Sequence, residues 1–178
     1  REASVTDLKN YANEYDFTVE EIKAQEIEKI KVSSTKIRNS INDGDLKTAG
    51  KYLGRSFKLT GKVIKGDGLG KKINYPTANI FIEEKYKITP KDGVYFIKTI
   101  IKNKIYNGMM NIGHRPTIGS NDKSLEVHLF NFNEDIYDHV ISIEMISKIR
   151  DEKKFASIEG LKKQLLKDEN YCLKLINK

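Results

Sequence analysis

Apolar residues recur at helical spacing near the start of the chain. They predict an amphipathic helix from Ser4 to Tyr15. Residues 17–19 are then predicted to form a short strand, and the acidic, lysine-containing run 20–31 a surface connection. The chain is therefore expected to open with a short α/β segment.

Two more helices are predicted before the pattern changes. Hydroxyl residues at 33–35 can cap the first, and Asp45 can cap the second, which Gly54 ends. Lys36 and Arg38 lie in the first turns of the first helix, where cations oppose the helix dipole. Contact with phosphate would explain that placement, and an ordinary serine-capped helix also permits it. Because the pattern becomes alternating after Gly54, we divide the chain into residues 1–54 and residues 55–178.

Beyond the boundary, apolar and polar residues alternate, which is typical of strands. The alternating segments are 57–63, 78–82, 94–101, 105–112, 125–130 and 140–146. The third and fourth segments, joined by Lys-Asn-Lys, are expected to form a hairpin. Six short strands without intervening helices predict a mainly β fold, a closed antiparallel barrel. A C-terminal helix capped by Ser157 should pack on it through an apolar stripe, which consists of Ile158, Leu161, Leu165, Cys172 and Ile176.

The composition narrows the class of ligand and the location. The chain has 32 basic and 25 acidic residues, a net charge of +7, which suits a polyanionic ligand. The basic residues are spread along the chain, which argues against nucleic acid. A single cysteine, Cys172, excludes an internal disulfide and a cysteine-based zinc site. With no signal peptide and no apolar run near the roughly 20 residues of a membrane span, we expect a cytoplasmic protein. The chain begins with Arg1 rather than Met, which suggests a piece of a longer protein.

A glycine loop bordered by lysines lies between the first two predicted strands of the barrel. Gly66, Gly68 and Gly70 can turn their N–H groups into one concavity, where Lys71 adds positive charge. A P-loop is excluded because no Lys-Ser/Thr pair follows a glycine. A dinucleotide loop is excluded because Pro76 lies where its helix would run. We therefore expect phosphate binding by backbone amides without a helix dipole; an ordinary glycine-rich hairpin is the alternative.

Thr77 and Asn79 follow this loop and are two residues apart in a predicted strand. Their side chains should therefore project from the same face. Both offer neutral oxygens, which suit a hard cation that substrate phosphates hold for the most part, as they hold Mg²⁺. A merely polar start of a strand would show the same pattern.

Glu126 and His128 should share the polar face of the strand 125–130. A carboxylate on a rigid strand can act as a general base for a hydroxyl, although a solvent-facing residue fits the alternation equally well. His128 is expected to have only a supporting role. Residues 111–123 are interpreted as a mobile flap, for which an ordinary hairpin connection is the alternative.

Arg150 and Phe155 precede the last helix and combine a guanidinium with an aromatic ring. They can hold a flat heteroaromatic ligand, or they can anchor the helix.

Together these segments resemble the riboflavin kinase domain in order and spacing. The matching segments are 61–70, 75–79, 92–95, 111–117, 126–130 and 150–155. The resemblance covers about residues 55–178. Residues 1–54 resemble the end of the FMN adenylyltransferase domain of bacterial bifunctional FAD synthetases, through the segment 32–38. The first signature of that domain is absent, so this chain alone should not adenylylate FMN, whereas a longer parent chain should.

The resemblance implies ATP- and Mg²⁺-dependent phosphorylation of the riboflavin 5′-hydroxyl, which gives FMN and ADP, on a six-stranded barrel. It implies that Glu126 contacts the ribityl hydroxyl and that Thr77 and Asn79 hold the metal. The implied ATP-binding residues are Gly66, Gly68, Gly70, Lys71, Thr77, Leu129, Asn131 and Tyr137. The implied flavin-binding residues are Arg115, Arg150, Lys153 and Phe155. We expect a monomer that binds these small molecules and neither nucleic acid nor a membrane.

Three positions depart from the family pattern. Asn74 replaces a glycine before the aromatic-Pro-Thr segment and can keep the turn, since asparagine tolerates positive φ. Asp151 replaces a proline, and Asn131 stands where bacterial members often carry aspartate. None removes a proposed catalytic group. The alternatives to a kinase are a flavin-binding barrel without catalysis and a basic barrel that binds single-stranded nucleic acid.

Overall fold

The computed structural model describes residues 4–21, 26–27, 30–66, 68–84, 86–114 and 123–176. It divides into two compact units, residues 1–33 and residues 34–178.

The first unit contains a helix and a small hairpin. Helix α1, Val5–Glu14, confirms the first predicted helix, and Ser4 caps it by accepting the Asp7 N–H at 3.1 Å. The strand predicted at 17–19 is wrong: these residues are irregular, because none of the described strands pairs with them. Strands β1, Glu26–Ile27, and β2, Ile30–Lys31, pair with each other instead, within the run predicted as a surface connection.

Two helices open the second unit. Helix α2, Ser34–Asn42, and helix α3, Leu46–Leu53, confirm the predicted pair. The Asp45 carboxylate accepts the Thr48 N–H at 3.0 Å, and Gly54 ends α3 in the left-handed conformation at φ 68°. Because Leu46 is buried in the main core together with barrel residues, α3 packs on the barrel. The division after residue 54 stays a prediction.

Six antiparallel strands form a closed barrel, as the alternation predicted. They are β3 Phe57–Ile64, β4 Ala78–Phe81, β5 Gly93–Ile101, β6 Lys104–His114, β7 Lys123–Leu129 and β8 Val140–Arg150. Their order around the barrel is β3-β4-β7-β6-β5-β8. Every second residue points inward except where β8 is irregular opposite β5, and Tyr95, Met110 and Val127 are almost fully buried in the interior. The predicted β5–β6 hairpin turns through Lys102 and Asn103, both at positive φ.

The glycine loop differs from its prediction. Residues Leu69–Lys72 form a one-turn helix, α4, capped by Gly68 at φ 70°, whereas no helix was expected in this loop. Asn74 has φ 65°, the positive value that the sequence allowed. Strand β6 continues to His114, so the first four residues of the predicted flap are strand. Residues 115–122 of that flap, which include Arg115, lie outside the described residues, and Lys123 begins strand β7.

The last helix, α5, Ile158–Ile176, packs on the outer wall of the barrel. Ser157 caps it by accepting the Gly160 N–H at 3.1 Å. Cys172 is buried against outward-facing residues of the barrel, among them Phe96 and Met109. The predicted stripe is wrong at its ends, because the terminal residues Ile158 and Ile176 are exposed. None of the described helices is both long and apolar enough to cross a membrane.

Candidate active site

Glu126 lies between two asparagines on neighbouring strands. It is directly opposite Asn79 of β4 and Asn111 of β6. Because directly opposed residues of an antiparallel pair share a face, the three side chains project together. Leu125 and Val127, the sequence neighbours of Glu126, are buried in the barrel interior, so Glu126 and the two asparagines lie on the outer wall.

A cavity of about 230 Å³ lies between this outer wall and α5. We call it the helix-side cavity. Its polar lining includes Thr77, Asn111, Glu126, His128, Glu152 and Lys153. Its apolar lining includes Ile73, Tyr75, Val94, Met109, Phe155, Leu161 and Leu165. Such a lining suits a flat apolar ligand that carries a few polar groups at one end.

A second cavity of about 390 Å³, the loop-side cavity, opens on the other side of the Tyr-Pro-Thr segment. Inward-facing barrel residues such as Val63 and Val127 form its floor. Residues 132–137 form one wall, and Lys71 lies at another. The predicted nucleotide residues that line this cavity are Lys71, Thr77, Leu129 and Tyr137. Gly70 lines the helix-side cavity instead, and Gly66, Gly68 and Asn131 are in the lining of neither cavity.

Thr77 is in the lining of both cavities. Two glycines of the loop press against the proposed metal ligands. A Cβ atom on Gly66 would lie 1.9 Å from Asn79 Nδ2, and one on Gly70 would lie 3.1 Å from Thr77 Oγ1. Any side chain at either glycine would therefore displace its neighbour. A Cβ atom on Gly68, by contrast, would face open space, so it is the positive φ of 70° that favours glycine there.

The segment 75–77 is held at two points. The Tyr75 hydroxyl donates to Glu169 of α5 at 3.0 Å, and the Pro76 carbonyl is 2.8 Å from His128 Nδ1. Burial, followed by the hydrogen bond to Glu169, raises the pKa of Tyr75 to about 12.

Arg150 is committed to an internal pair. Its Nε and Nη2 lie 2.9 Å and 2.8 Å from the same oxygen of Asp168, a carboxylate that is 2% exposed. Its Nη1 donates to the Asp151 carbonyl at 3.0 Å, and its guanidinium lies 5.8 Å from the Phe155 ring centre. Phe155 and Lys153 line the helix-side cavity, whereas Arg150 itself does not. Arg150 therefore anchors the end of β8 to α5.

Asp151 stands where the family usually has proline, and Arg150 beside it still pairs with Asp168. The Asp151 carboxylate pairs with Lys148 at 2.6 Å, and this hydrogen bond holds the pKa of Asp151 below its usual range.

Several lining residues were not predicted from the sequence. Met109 is the clearest, because it forms part of the cavity floor from an outward position of β6. The consecutive apolar pair Met109-Met110 breaks the alternation of the strand, which signals that both faces are covered. Leu161 and Leu165, by contrast, belong to the predicted helix stripe and also line the cavity.

A metal at this site would have to be held without a cluster of charged ligands. Among the described residues, no group of three or more His, Cys, Asp or Glu side chains is arranged to bind a metal ion. Thr77 and Asn79 offer neutral oxygens. Such a donor pair fits a hard divalent cation that arrives with substrate phosphates.

The riboflavin kinase family model matches residues 53–176. The chain belongs to the riboflavin kinase family. Members of this family phosphorylate riboflavin to FMN with ATP and a divalent metal.

Curated relatives are longer proteins whose name gives two activities. The chain is 38% identical over 94% of its length to the bifunctional riboflavin kinase/FMN adenylyltransferase of Haemophilus influenzae, and covers 54% of that protein. It is 39% identical over 99% of its length to the enzyme of the same name from Buchnera aphidicola subsp. Schizaphis graminum, and covers 57% of it. The chain thus spans about half the length of these relatives.

A solved structure supports the fold. A chain from Streptococcus pneumoniae, described as a macrolide-efflux protein, is 38% identical and superposes with a TM-score of 0.83. The match covers 94% of the riboflavin kinase family chain described here and 54% of the solved chain.

Proposed function

We propose that this chain transfers the γ-phosphoryl group of ATP to the 5′-hydroxyl of riboflavin, which gives FMN and ADP, with Mg²⁺ as the cation. One observation carries the proposal. Thr77 lies in the wall of both cavities, and Glu126 lies in the wall of one of them, directly opposite Asn79. Two ligands bound in the two cavities would therefore meet beside a carboxylate and two neutral oxygen donors.

Riboflavin is assigned to the helix-side cavity. Its fused ring system is flat and has an apolar dimethylbenzene end, and the apolar lining includes Met109, Phe155 and Leu165. The ribityl chain would extend towards the polar side, where Glu126 and Thr77 lie. Lys153 and Phe155 would contact the ring system. Arg150 would act mainly by fixing the segment that carries Phe155, because three of its N–H donors are already bonded.

ATP is assigned to the loop-side cavity. Leu129 and Tyr137 offer apolar surface for the nucleoside, and Lys71 offers charge for the phosphates. The Lys65 ammonium, 5.6 Å from the Tyr137 ring centre, adds a second cation at this side. The backbone amides of Gly66, Gly68 and Gly70 would bind the phosphates that extend from this cavity towards Thr77, which Gly70 adjoins in the lining of the helix-side cavity.

Thr77 and Asn79 would hold the Mg²⁺ ion through their side-chain oxygens. An ion held there would supply positive charge that offsets the negative charge of the phosphate groups. Glycine at position 66 leaves room for the Asn79 amide, since a Cβ atom there would lie 1.9 Å from its nitrogen. Asn79 is 6% exposed, so few other orientations are open to it.

Glu126 would accept the proton of the 5′-hydroxyl while that oxygen attacks the γ-phosphorus. The new bond joins the ribityl oxygen to phosphorus, and the bond from the γ-phosphorus to the bridging oxygen of ADP breaks. Phosphoryl transfer depends mostly on positioning and charge neutralisation, so a carboxylate fixed on a strand suits this role.

The experiment is direct. The purified chain is mixed with riboflavin, ATP and Mg²⁺, and FMN and ADP are followed by chromatography. We expect equal amounts of both products and none when the cation is chelated. Riboflavin binding without product would favour the non-catalytic flavin-binding barrel and would reject the kinase.

FMN adenylylation, which the names of the relatives include, is proposed only for a longer chain. Adding the chain to FMN and ATP should give no FAD. The cytoplasmic location and the monomeric state stay predictions, and light scattering of the purified chain tests the second.

A further inference from the structure

The segment that carries Thr77 is irregular and depends on side chains for its position. Residues 75–77 connect α4 to β4 without belonging to either. Pro76 has no N–H, so its carbonyl is its only backbone hydrogen-bonding group. That carbonyl lies 2.8 Å from His128 Nδ1. Because a carbonyl oxygen can only accept, Nδ1 must carry a hydrogen and donate it.

This bond acts directly on Thr77. The Pro76 carbonyl, the Thr77 N–H and the Thr77 Cα belong to one planar peptide unit. A hydrogen bond that fixes the carbonyl therefore also fixes the orientation of the Thr77 N–H and the position of its Cα. The donor is rigid as well. The His128 ring lies 5.1 Å from the Tyr75 ring and 5.9 Å from the Phe130 ring, in edge-to-face contacts.

His128 and Glu126 are two residues apart on β7 and project from the same face. The bond to Pro76 therefore ties the loop of Thr77 to the strand of Glu126. We propose that His128 is a positioning residue, whose Nδ1–H holds the Pro76 carbonyl so that Thr77 keeps a fixed distance from Glu126. This inference rests on the proposed kinase function and assigns His128 no proton transfer.

Two other roles would use different parts of the same side chain. His128 also lines the helix-side cavity, so its Nε2 is a possible contact for a substrate. Its ring is packed between two aromatic residues, so it could serve only to fill space. The positioning role requires a hydrogen-bond donor at Nδ1, contact with a substrate requires a polar atom at Nε2, and filling space requires only a ring.

Three variants separate these roles. H128N places an amide nitrogen near the position of Nδ1, H128Q places one near Nε2, and H128F keeps a ring without a donor. We measure kcat and KM for ATP at saturating Mg²⁺, KM for riboflavin, and the thermal unfolding midpoint of each variant. Amide hydrogen exchange at residues 77–79 gives a readout independent of activity.

We expect H128N to stay within a few-fold of the wild type. H128F and H128Q should lose about tenfold in kcat/KM for ATP, the effect of losing a hydrogen bond that contributes about 1.4 kcal/mol. Amide exchange at 77–79 should be faster in these two variants and not in H128N.

Three results would overturn the inference while the wild type remains active. Wild-type kinetics in H128F would show that the ring alone matters. Activity in H128Q but not in H128N would point to Nε2. Equal losses in all three folded variants would remove any special role of Nδ1. Absence of FMN from the wild type would instead reject the proposed function, and the positioning role in catalysis with it.

Discussion

Asn79 and Glu126 are directly opposed across strands β4 and β7, and their side chains project from the same outer face of the barrel. Such pairs have Cβ atoms about 4.5–5.5 Å apart, so the proposed metal ligand and the proposed base are neighbours. This register carries the most weight in the assignment of roles. A shift of one residue in either strand would turn one of the two side chains into the barrel interior.

Replacing Glu126 by Gln should separate catalysis from binding. The amide keeps the shape of the side chain but cannot accept the hydroxyl proton, so kcat should fall by about 10²–10⁴-fold. The affinity for riboflavin, measured by quenching of flavin fluorescence, should change little. E144Q is the matched control. Glu144 lies on β8, its carboxylate is 3.9 Å from the Lys58 ammonium, and neither residue lines either of the two cavities. A near-normal kcat in E126Q would remove Glu126 from the mechanism.

Replacing Gly66 by Ala should disturb the metal site through Asn79. The added methyl would lie 1.9 Å from the Asn79 amide nitrogen, so that side chain must move. A displacement of about 1 Å can cost about 100-fold in rate, and we expect a loss of this size in kcat/KM for Mg²⁺-bound ATP. The measurement is FMN formation over a range of Mg²⁺ concentrations.

G50A is the control for this substitution. Gly50 is in α3, and the nearest atom to an added Cβ is a backbone oxygen at 3.6 Å, an ordinary contact. Alanine should stabilise the helix by about 1 kcal/mol and leave the kinetics unchanged. Unchanged Mg²⁺ dependence in G66A would show that Asn79 does not hold the cation.

The sequence predicts the strands and their faces well, because alternation reports burial on one side of a sheet. It does not predict strand order. Nothing local in residues 78–81 and 123–129 shows that β4 pairs with β7, and only this pairing brings Asn79 opposite Glu126. The polar face of each strand could thus be assigned from the pattern, whereas the convergence at the site needed the register.

Contacts between a helix and a distant strand were also out of reach. Asp168 is an acidic residue in the apolar stripe of α5, and only the structure shows that it meets Arg150. The short helix α4 was missed because Pro76 argued against a long helix, which does not exclude a single turn. In each case the spacing indicates what a segment can form but not what it packs against.

Replacing Asp168 by Asn should lower the free energy of unfolding more than the loss of an ion pair on the exposed surface does. The Arg150 guanidinium would keep its burial and lose its counter-charge, which typically costs about 3–5 kcal/mol. Urea unfolding followed by circular dichroism gives this free energy. Riboflavin affinity should also fall, because Phe155 and α5 border the helix-side cavity.

D138N provides the comparison. Asp138 pairs with Lys62 at 2.7 Å on the exposed surface, where ion pairs contribute little. We expect almost no change in its unfolding free energy. A similar loss in D138N and D168N would show that burial gives the Arg150 pair no special weight.

Tyr75 should make the stability of the protein depend on alkaline pH. Its pKa is raised to about 12 in the folded state, by burial and then by the hydrogen bond to Glu169, whereas an unfolded tyrosine titrates near 10. Between these values the unfolded state binds fewer protons than the folded state, so the free energy of unfolding falls as pH rises. Below pH 10 the contribution of the phenol is fully present.

Y75F removes both the ionisation and the hydrogen bond. At neutral pH it should lower the free energy of unfolding by about 1 kcal/mol, the usual net value of one hydrogen bond. Between pH 10 and pH 12 it should lose less stability than the wild type. Tyr95, whose pKa burial also raises, is present in both proteins, so the difference between them isolates Tyr75. Y86F, at an exposed tyrosine, is the control, and an alkaline slope identical in Y75F and the wild type would contradict the assignment.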